Sequence, residues 1–340
     1  MTDESMRAGR FWKRRGVPRR RNDVVISGMA AGGESFCVRR LFSEACSLIC
    51  LFAVVCFALF YSREAGEFAL SGMRLAVLAV IPSSFVSMLV CDLYRRVGYP
   101  ERISFFGRLF SLLFGISRAG LRAFLLGNLC GFPMGAREAG EAYSEGLISR
   151  EEAERLLPIC TNPSPAFTVG VVGGMLGDFR VGVRLFFCVL SSAVICGAVF
   201  RKRGQSLSVP SVIVRQKYNL VQSVRGAGGA CITLVSFISC FSVVLGFLKK
   251  YVGFLPLRYA LFALLEVAGG VNFFINEAQL SPAASGALTA LSLGFGGLSV
   301  MLQSAAFASD YGLRLRGYLP VKLLQGALSA ALFLLLEIGV

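Results

Sequence analysis

The sequence predicts an all-α polytopic membrane protein, with about eight transmembrane segments in two halves that contain broken or re-entrant helices. Three observations point there. Of 340 residues, 55% are hydrophobic and 16% charged, against roughly 25% charged in an ordinary soluble domain. The mean hydropathy is +0.66. The apolar residues come in long blocks separated by short charged stretches, not as one amphipathic pattern. That arrangement argues against a soluble α/β enzyme, a disordered tail protein and a small disulfide scaffold.

Residues 1–40 hold ten Lys/Arg against four Asp/Glu and read as a basic cytoplasmic tail without regular structure. Gly16 and Pro18 interrupt its densest basic run, between Arg10 and Arg21, which shows no helical periodicity. Basic residues beside apolar spans follow the positive-inside rule, so the net charge of +15 is assigned to topology and not to nucleic acid. The apolar run that follows begins near Leu41 and is too long for a cleaved signal peptide.

The N-terminal membrane half, 41–200, opens with spans at 41–61 and 68–94, the second containing Pro82. Each holds roughly 20 apolar residues, enough to cross about 30 Å of hydrocarbon. A basic turn at Arg95, Arg96, Glu101 and Arg102 leads to an apolar stretch at 103–129 that carries Arg108, Arg118 and Arg122. Those last two suit either an anionic ligand or the membrane interface. Next comes the break Gly127-Asn128-Leu129-Cys130-Gly131-Phe132-Pro133-Met134-Gly135-Ala136. A charged segment, 137–155, has six Glu against three Arg; in it Ser149 is placed as a helix N-cap and Glu152 at the capping-box position. The apolar stretch 156–176 is broken by Asn162-Pro163-Ser164-Pro165 and by Gly170, Gly173 and Gly174. A span at 181–200 ends this half.

A basic cytoplasmic loop, 201–227, separates it from the C-terminal membrane half, 228–340, with spans expected at 228–248, 255–275, 283–308 and 318–338. The basic segments all favour the cytoplasm, whereas the acidic 137–155 does not. One re-entrant hairpin, near 127–135 or 158–177, reconciles them.

The chain has no histidine, which removes the usual zinc sites, the Ser-His-Asp and Cys-His pairs and the commonest general base. There is no GxxxxGK[ST] loop for ATP. We therefore expect no enzyme, no metal and no cofactor. Eleven cysteines form no CxxC pair, and most lie in apolar spans, where Cys acts as a small hydrophobe.

Broken helices in a membrane need protein or a water-filled cavity beside them, and transporters place such breaks at corresponding points of two repeats. Here one pair joins 131–135 to 162–165. A second joins Glu266-Val267-Ala268-Gly269-Gly270 to the stretch from Gly294 to Gln303. Pro163 and Pro165 together stop a helix outright. Glu266 is a carboxyl in an apolar stretch and so a functional candidate, while Gln303 and Asn162 suit a polar substrate. Gly173-Gly174 and Gly228-Gly229 read instead as helix-packing positions.

The run from Gly127 to Ala136 resembles the G-x-x-x-G-[YF]-P-x-G-A signature of the YlbJ family of sporulation integral membrane proteins, within the wider nucleoside-recognition Gate group. The order that follows is similar too: an acidic helix with Tyr143, Gly146 and Ile148, Glu152-Ala153-Glu154-Arg155-Leu156-Leu157, Asn162-Pro163-Ser164-Pro165-Ala166-Phe167, and Gly170-Val171-Val172-Gly173. Later, Leu265-Glu266-Val267-Ala268-Gly269-Gly270 resembles the L-E-[IV]-T-x-G element, and Gly296-Gly297-Leu298-Ser299-Val300 with Gln303 the G-G-[LI]-S-V-x-x-Q element. The resemblance spans roughly 41–338. Ala268 departs where Thr is common, and Met301-Leu302 where His or Ala often precedes the Gln.

The resemblance implies two Gate-like halves and a transporter that exports dipicolinic acid, a small anionic heteroaromatic acid, from the mother cell toward the forespore across its outer membrane. Alternatives are a nucleoside or nucleobase carrier, and a non-transporting scaffold for spore assembly. The substrate site is expected at Asn128, Gly131, Pro133, Gly135, Asn162, Pro163, Ser164, Pro165, Glu266, Gly296, Gly297, Ser299 and Gln303. Expected partners are the anionic substrate and the lipid bilayer, with no nucleic acid; homo-oligomer formation stays open.

Overall fold

The structure is a computed structural model that describes residues 59–97, 113–201 and 220–338. The basic tail 1–40, the span 41–61 except its last residues, and most of the basic segments 95–102 and 201–227 lie outside the described residues. Backbone contacts divide the chain into Met1–Phe60 and Tyr61–Val340; the architecture below is that of the second unit.

All its described regular structure is helical. Helix α1 (Ser62–Leu75) passes through a π-helical segment, Ala76–Val80, into α2 (Ile81–Val97). Helices α3 (Arg118–Cys130) and α4 (Met134–Ser144) form a first pair, and α5 (Arg150–Cys160) leads into a π-helical segment, Ala166–Val172, and a short α6 (Gly173–Met175). The long α7 (Phe179–Val199) and α8 (Leu220–Tyr251) follow. Then come α9 (Leu255–Leu265), α10 (Val267–Asn276), α11 (Pro282–Phe295), α12 (Gly297–Asp310) and α13 (Tyr318–Ile338).

Five described stretches are long and apolar enough to cross a membrane: Ser62–Tyr94, Phe179–Val199, Leu220–Tyr251, Pro282–Asp310 and Tyr318–Glu337. Their outer faces present large apolar side chains, among them Phe187, Ile195, Ile232, Val244 and Leu335, as lipid contact requires. The chain is a multi-pass membrane protein. Pro282–Asp310 is the innermost span, with 67% of its most apolar window buried against 33% for Ser62–Tyr94 and Tyr318–Glu337.

The expectation of about eight crossings needs correcting at one place. The stretch 255–275 is not a single span but two short helices folded against each other. Glu266 is extended, with φ −148° and ψ 126°, which ends α9 and starts α10. The chain doubles back there: Phe262 packs on Phe273 with ring centroids 4.1 Å apart, and the Tyr259 hydroxyl donates to the Ala278 carbonyl at 3.2 Å. The pair α3–α4 folds the same way about Gly131-Phe132-Pro133, since a Cβ on Gly127 would lie 2.8 Å from the Cα of Gly135. One hairpin was expected, near 127–135 or 158–177, and the structure places one at the first of these; at Glu266 a break was expected, but not a second hairpin.

Two smaller expectations also change. Ser149 caps α5, its hydroxyl accepting from Glu152 N at 3.2 Å, but Glu152 does not close a capping box. Its carboxylate instead accepts from Ser117 N at 2.6 Å, at the start of α3, and so fixes the first hairpin to α5. Cys91 and Cys130 form a disulfide between α2 and the end of α3, whereas Cys160, Cys188, Cys196 and Cys231 are buried free thiols. Gly173 does permit close packing, on Gly182 of α7, but nothing lies within 4 Å of a Cβ at Gly228 or Gly229.

The order of elements therefore repeats. A long helix, a helical hairpin, a broken helix and another long helix occur in that sequence, as α1–α2, α3–α4, α5 to α6 and α7, and again as α8, α9–α10, α11–α12 and α13.

Candidate functional site

Each hairpin tip sits on the break of the broken helix that follows it. In the first half, α5 stops at Cys160, and Thr161 to Ser164 are not helical. Pro163 and Pro165 withhold two backbone donors there. The chain restarts where the Ser164 hydroxyl accepts from Phe167 N at 3.1 Å. The tip of α3–α4 presses on this break so closely that a Cβ on Gly131 would fall 2.7 Å from Ser164 N. Pro133, joined to Phe132 by a cis peptide bond, opens α4. Gly135 lets α4 approach the last carbonyl of α5, at Cys160.

In the second half, the break between α11 and α12 is two consecutive glycines with positive φ, Gly296 at 84° and Gly297 at 78°. Only glycine adopts that pair of conformations at little cost. The tip of α9–α10 rests on it: a Cβ on Gly297 would stand 3.0 Å from the Leu265 carbonyl oxygen and 3.2 Å from the Glu266 Cα. The Glu266 carboxylate is 1% exposed and is spent on its own helix, accepting from Ala268 N at 3.1 Å and from Gly269 N. It caps α10 in the position where Ser, Thr, Asp or Asn is usual.

The two tips also reach one another's half. A Cβ on Gly296 would lie 3.2 Å from the Phe132 ring. Between them is a cleft with about 400 Å³ of space outside atoms. It is lined by Gly131, Phe132, Pro163, Ser164 and Phe167 from the first half, and by Glu266, Val267, Ala268, Val300 and Gln303 from the second. Val80 and Ser84, and Leu234 and Ile238 of α8, complete it, so residues of both π-helical segments border the cleft; such segments often mark functional sites.

Gln303 lines the cleft with a buried polar atom left over. It is 1% exposed, its Nε2 donates to the Ser299 hydroxyl at 3.1 Å, and its Oε1 has no partner. Because the Ser299 hydroxyl can donate or accept, turning the amide over frees Nε2 instead. A single amide can thus offer either a donor or an acceptor to a ligand.

Of the expected site residues, Gly131, Pro163, Ser164, Glu266 and Gln303 line the cleft. Pro133, Gly135, Pro165, Gly296 and Gly297 shape the tips and breaks, and Ser299 holds Gln303. Asn128 and Asn162 do something else. Asn162 donates to Asn128 Oδ1 at 2.8 Å and to the Ile159 carbonyl at 2.9 Å, while its own Oδ1 accepts from Lys322 Nζ at 2.9 Å and Gln325 Nε2 at 2.7 Å. It is the hub of a buried network, not a wall of the cleft. The network extends along one face of α13 through Tyr318, Lys322, Gln325 and Ser329. The Tyr318 hydroxyl lies 2.9 Å from Thr161 Oγ1, and Ser329 Oγ lies 2.7 Å from Ser192 Oγ. Arg122 stands far from the tip, beside a smaller cavity with Glu138, Glu141 and Glu145.

Lys322 is the residue that sequence reasoning missed. Its spacing was the available signal: positions 318, 322, 325 and 329 put four polar groups on one helical face of an otherwise apolar span.

Paired hairpin tips and paired helix breaks around one cleft belong to a multi-pass helical membrane protein whose order of elements repeats. Among known proteins, the chain is similar to a sporulation integral membrane protein, YlbJ of Bacillus subtilis (strain 168), with 24% identity over 267 residues. The similarity covers 66% of this chain and spans 65% of the relative's length. No family model matches the chain, and no solved structure matches it.

Proposed function

We propose that this protein is a membrane transporter of a small anionic heteroaromatic acid, and that in a sporulating cell the substrate is dipicolinic acid passing from the mother cell toward the forespore. The observation that carries the reading is the cleft itself: two hairpin tips and two helix breaks enclose a buried amide, Gln303, with one polar atom unsatisfied. Leaving such a group unpaired costs about 1–3 kcal/mol unless a ligand or water meets it. The tips are short, end in glycine or in a single extended residue, and rest on the breaks without being continuous with them, which suits them to move as gates. Two Gate-like halves, each with one hairpin and one broken helix, follow from that reading.

A carboxylate of the substrate would accept from Gln303 Nε2 and from the Ser164 hydroxyl, whose oxygen already accepts from Phe167 N and whose proton is therefore directed elsewhere. Glu266, fixed as a helix cap, would bound the other side and not bind the acid. The sporulation setting is supported by the relative, a sporulation integral membrane protein.

The same amide favours a second reading. With Oε1 presented, Gln303 accepts from an N–H, as on a nucleobase, so a nucleoside or nucleobase carrier stays as the alternative. Counterflow into proteoliposomes separates the two. Trapped unlabelled dipicolinate should drive uptake of labelled dipicolinate, and uridine should not compete. Uridine uptake with no response to dipicolinate would replace the first reading by the second.

A further inference from the structure

Lys322 is fully buried, with no carboxylate in ion-pair range among the described residues. A bare ammonium in the interior is costly unless oxygens replace its water. Here four neutral oxygens do: Thr161 O at 2.6 Å, Asn162 Oδ1 at 2.9 Å, Gln325 Oε1 at 3.0 Å and Gly294 O at 3.2 Å. Two of these have a particular origin. Thr161 is the C-cap of α5, and Gly294 lies in the last turn of α11. Both carbonyls belong to the ends of the first halves of the two broken helices, where carbonyls lack helical partners and the helix dipole is negative. Broken membrane helices offer this ligand set, terminal carbonyls and uncharged side-chain oxygens, to a free cation.

We infer that Lys322 is a tethered counter-ion: its ammonium fills, from within the chain, a monovalent-cation site formed between the two broken helices, so that the protein needs no free sodium or potassium there. The site connects to the first hairpin in two ways. Asn162 passes the contact to Asn128 of α3, and the ammonium stands 6.0 Å from the centroid of the Phe132 ring at the hairpin tip, within reach of a cation–π attraction. The tethered charge therefore steadies the gate nearest the cleft, and for the flux consequence alone the inference rests on the transport reading.

The test uses the full chain in detergent. Lys322→Ala deletes the atoms from Cγ to Nζ, a fragment matched by n-propylammonium. In choline buffer the variant should melt about 5 °C below wild type. Addition of n-propylammonium, potassium or sodium during purification should recover at least half of that loss. Lys322→Met fills the space without the charge and should recover nothing. Wild type should melt at the same temperature in choline, sodium and potassium. If Lys322→Ala yields no folded protein in choline, folded yield only with n-propylammonium is the expected result.

Equal instability of Lys322→Ala in every buffer would overturn the inference, as would recovery of Lys322→Met or a saturable stabilisation of wild type by sodium or potassium. In proteoliposomes, wild-type dipicolinate flux should be the same in choline and sodium, and flux that requires sodium would also overturn it. Absence of flux in every buffer would count against the transport reading instead, with the melting results deciding the cation site.

Discussion

Removing the Glu266 carboxylate should destabilise the second hairpin by an amount that its hydrogen bonds set and its charge does not. The carboxylate is 1% exposed and accepts from Ala268 N and Gly269 N, the N2 and N3 positions of α10. In Glu266→Ala both donors stay buried without partners, at about 1–3 kcal/mol each. Relief of the buried carboxylate offsets part of this, leaving a net loss of about 3 kcal/mol. At about 1.4 °C per kcal/mol, from an unfolding entropy of about 2.1 cal/mol/K per residue over this chain length, the melting temperature in detergent should fall by about 4 °C. Glu266→Asn keeps a good cap without the charge and should lose about a third as much. Melting of both variants, followed by dye binding to exposed thiols or by circular dichroism, provides the comparison. The reasoning is refuted if Glu266→Ala melts with wild type. It is equally refuted if Glu266→Asn falls as far as Glu266→Ala, because the charge and not the cap would then carry the effect.

Other expectations follow from the same geometry. Asn162→Ala strips acceptors from Lys322 and Gln325 and a donor from Asn128; it should cost about 4 kcal/mol, read as a lower melting temperature and a poorer folded yield. Gly297→Ala combines a positive φ with a Cβ 3.0 Å from the Leu265 carbonyl, and should lose about 3 kcal/mol. Gly228→Ala, with nothing within 4 Å of the new Cβ in the middle of α8, should gain up to about 1 kcal/mol in the same melting assay. Tyr318→Phe removes one hydroxyl shared with Thr161 and Ser304. It should lower stability by about 1–2 kcal/mol and leave transport in proteoliposomes unchanged.

How far the sequence carried the fold differs from element to element. The long spans were legible because apolar length alone defines them, and α7, α8 and α13 lie close to where hydropathy puts them. The breaks at Gly131-Phe132-Pro133, at Asn162-Pro163-Ser164-Pro165 and at Gly296-Gly297 were legible as well, because glycine and proline act on the backbone locally. The second hairpin was legible only as a break. A break at Glu266–Gly270 was expected, but the apolar stretch on either side is continuous and reads as one span, and an extended φ/ψ at a single residue does not announce that the chain turns back. The role of Asn162 was hidden for another reason, since an amide beside a proline break is equally suited to a cleft or to a network, and the choice depends on what α13 brings against it. Lys322 lies four residues into its span, where lysine ordinarily reaches back to the interface, and only the polar stripe from Tyr318 to Ser329 marks it as internal.

Flux of labelled dipicolinate into proteoliposomes, measured for wild type, Gln303→Ala and Tyr318→Phe side by side, tests the central claim most directly. Gln303 makes one hydrogen bond within the protein and presents a buried unsatisfied oxygen in the cleft. The account predicts saturable wild-type flux, a loss of about tenfold or more in Gln303→Ala, worth at least 1.4 kcal/mol, and wild-type behaviour in Tyr318→Phe. Wild-type flux equal to that of empty liposomes, or full flux in a folded Gln303→Ala protein, would contradict it.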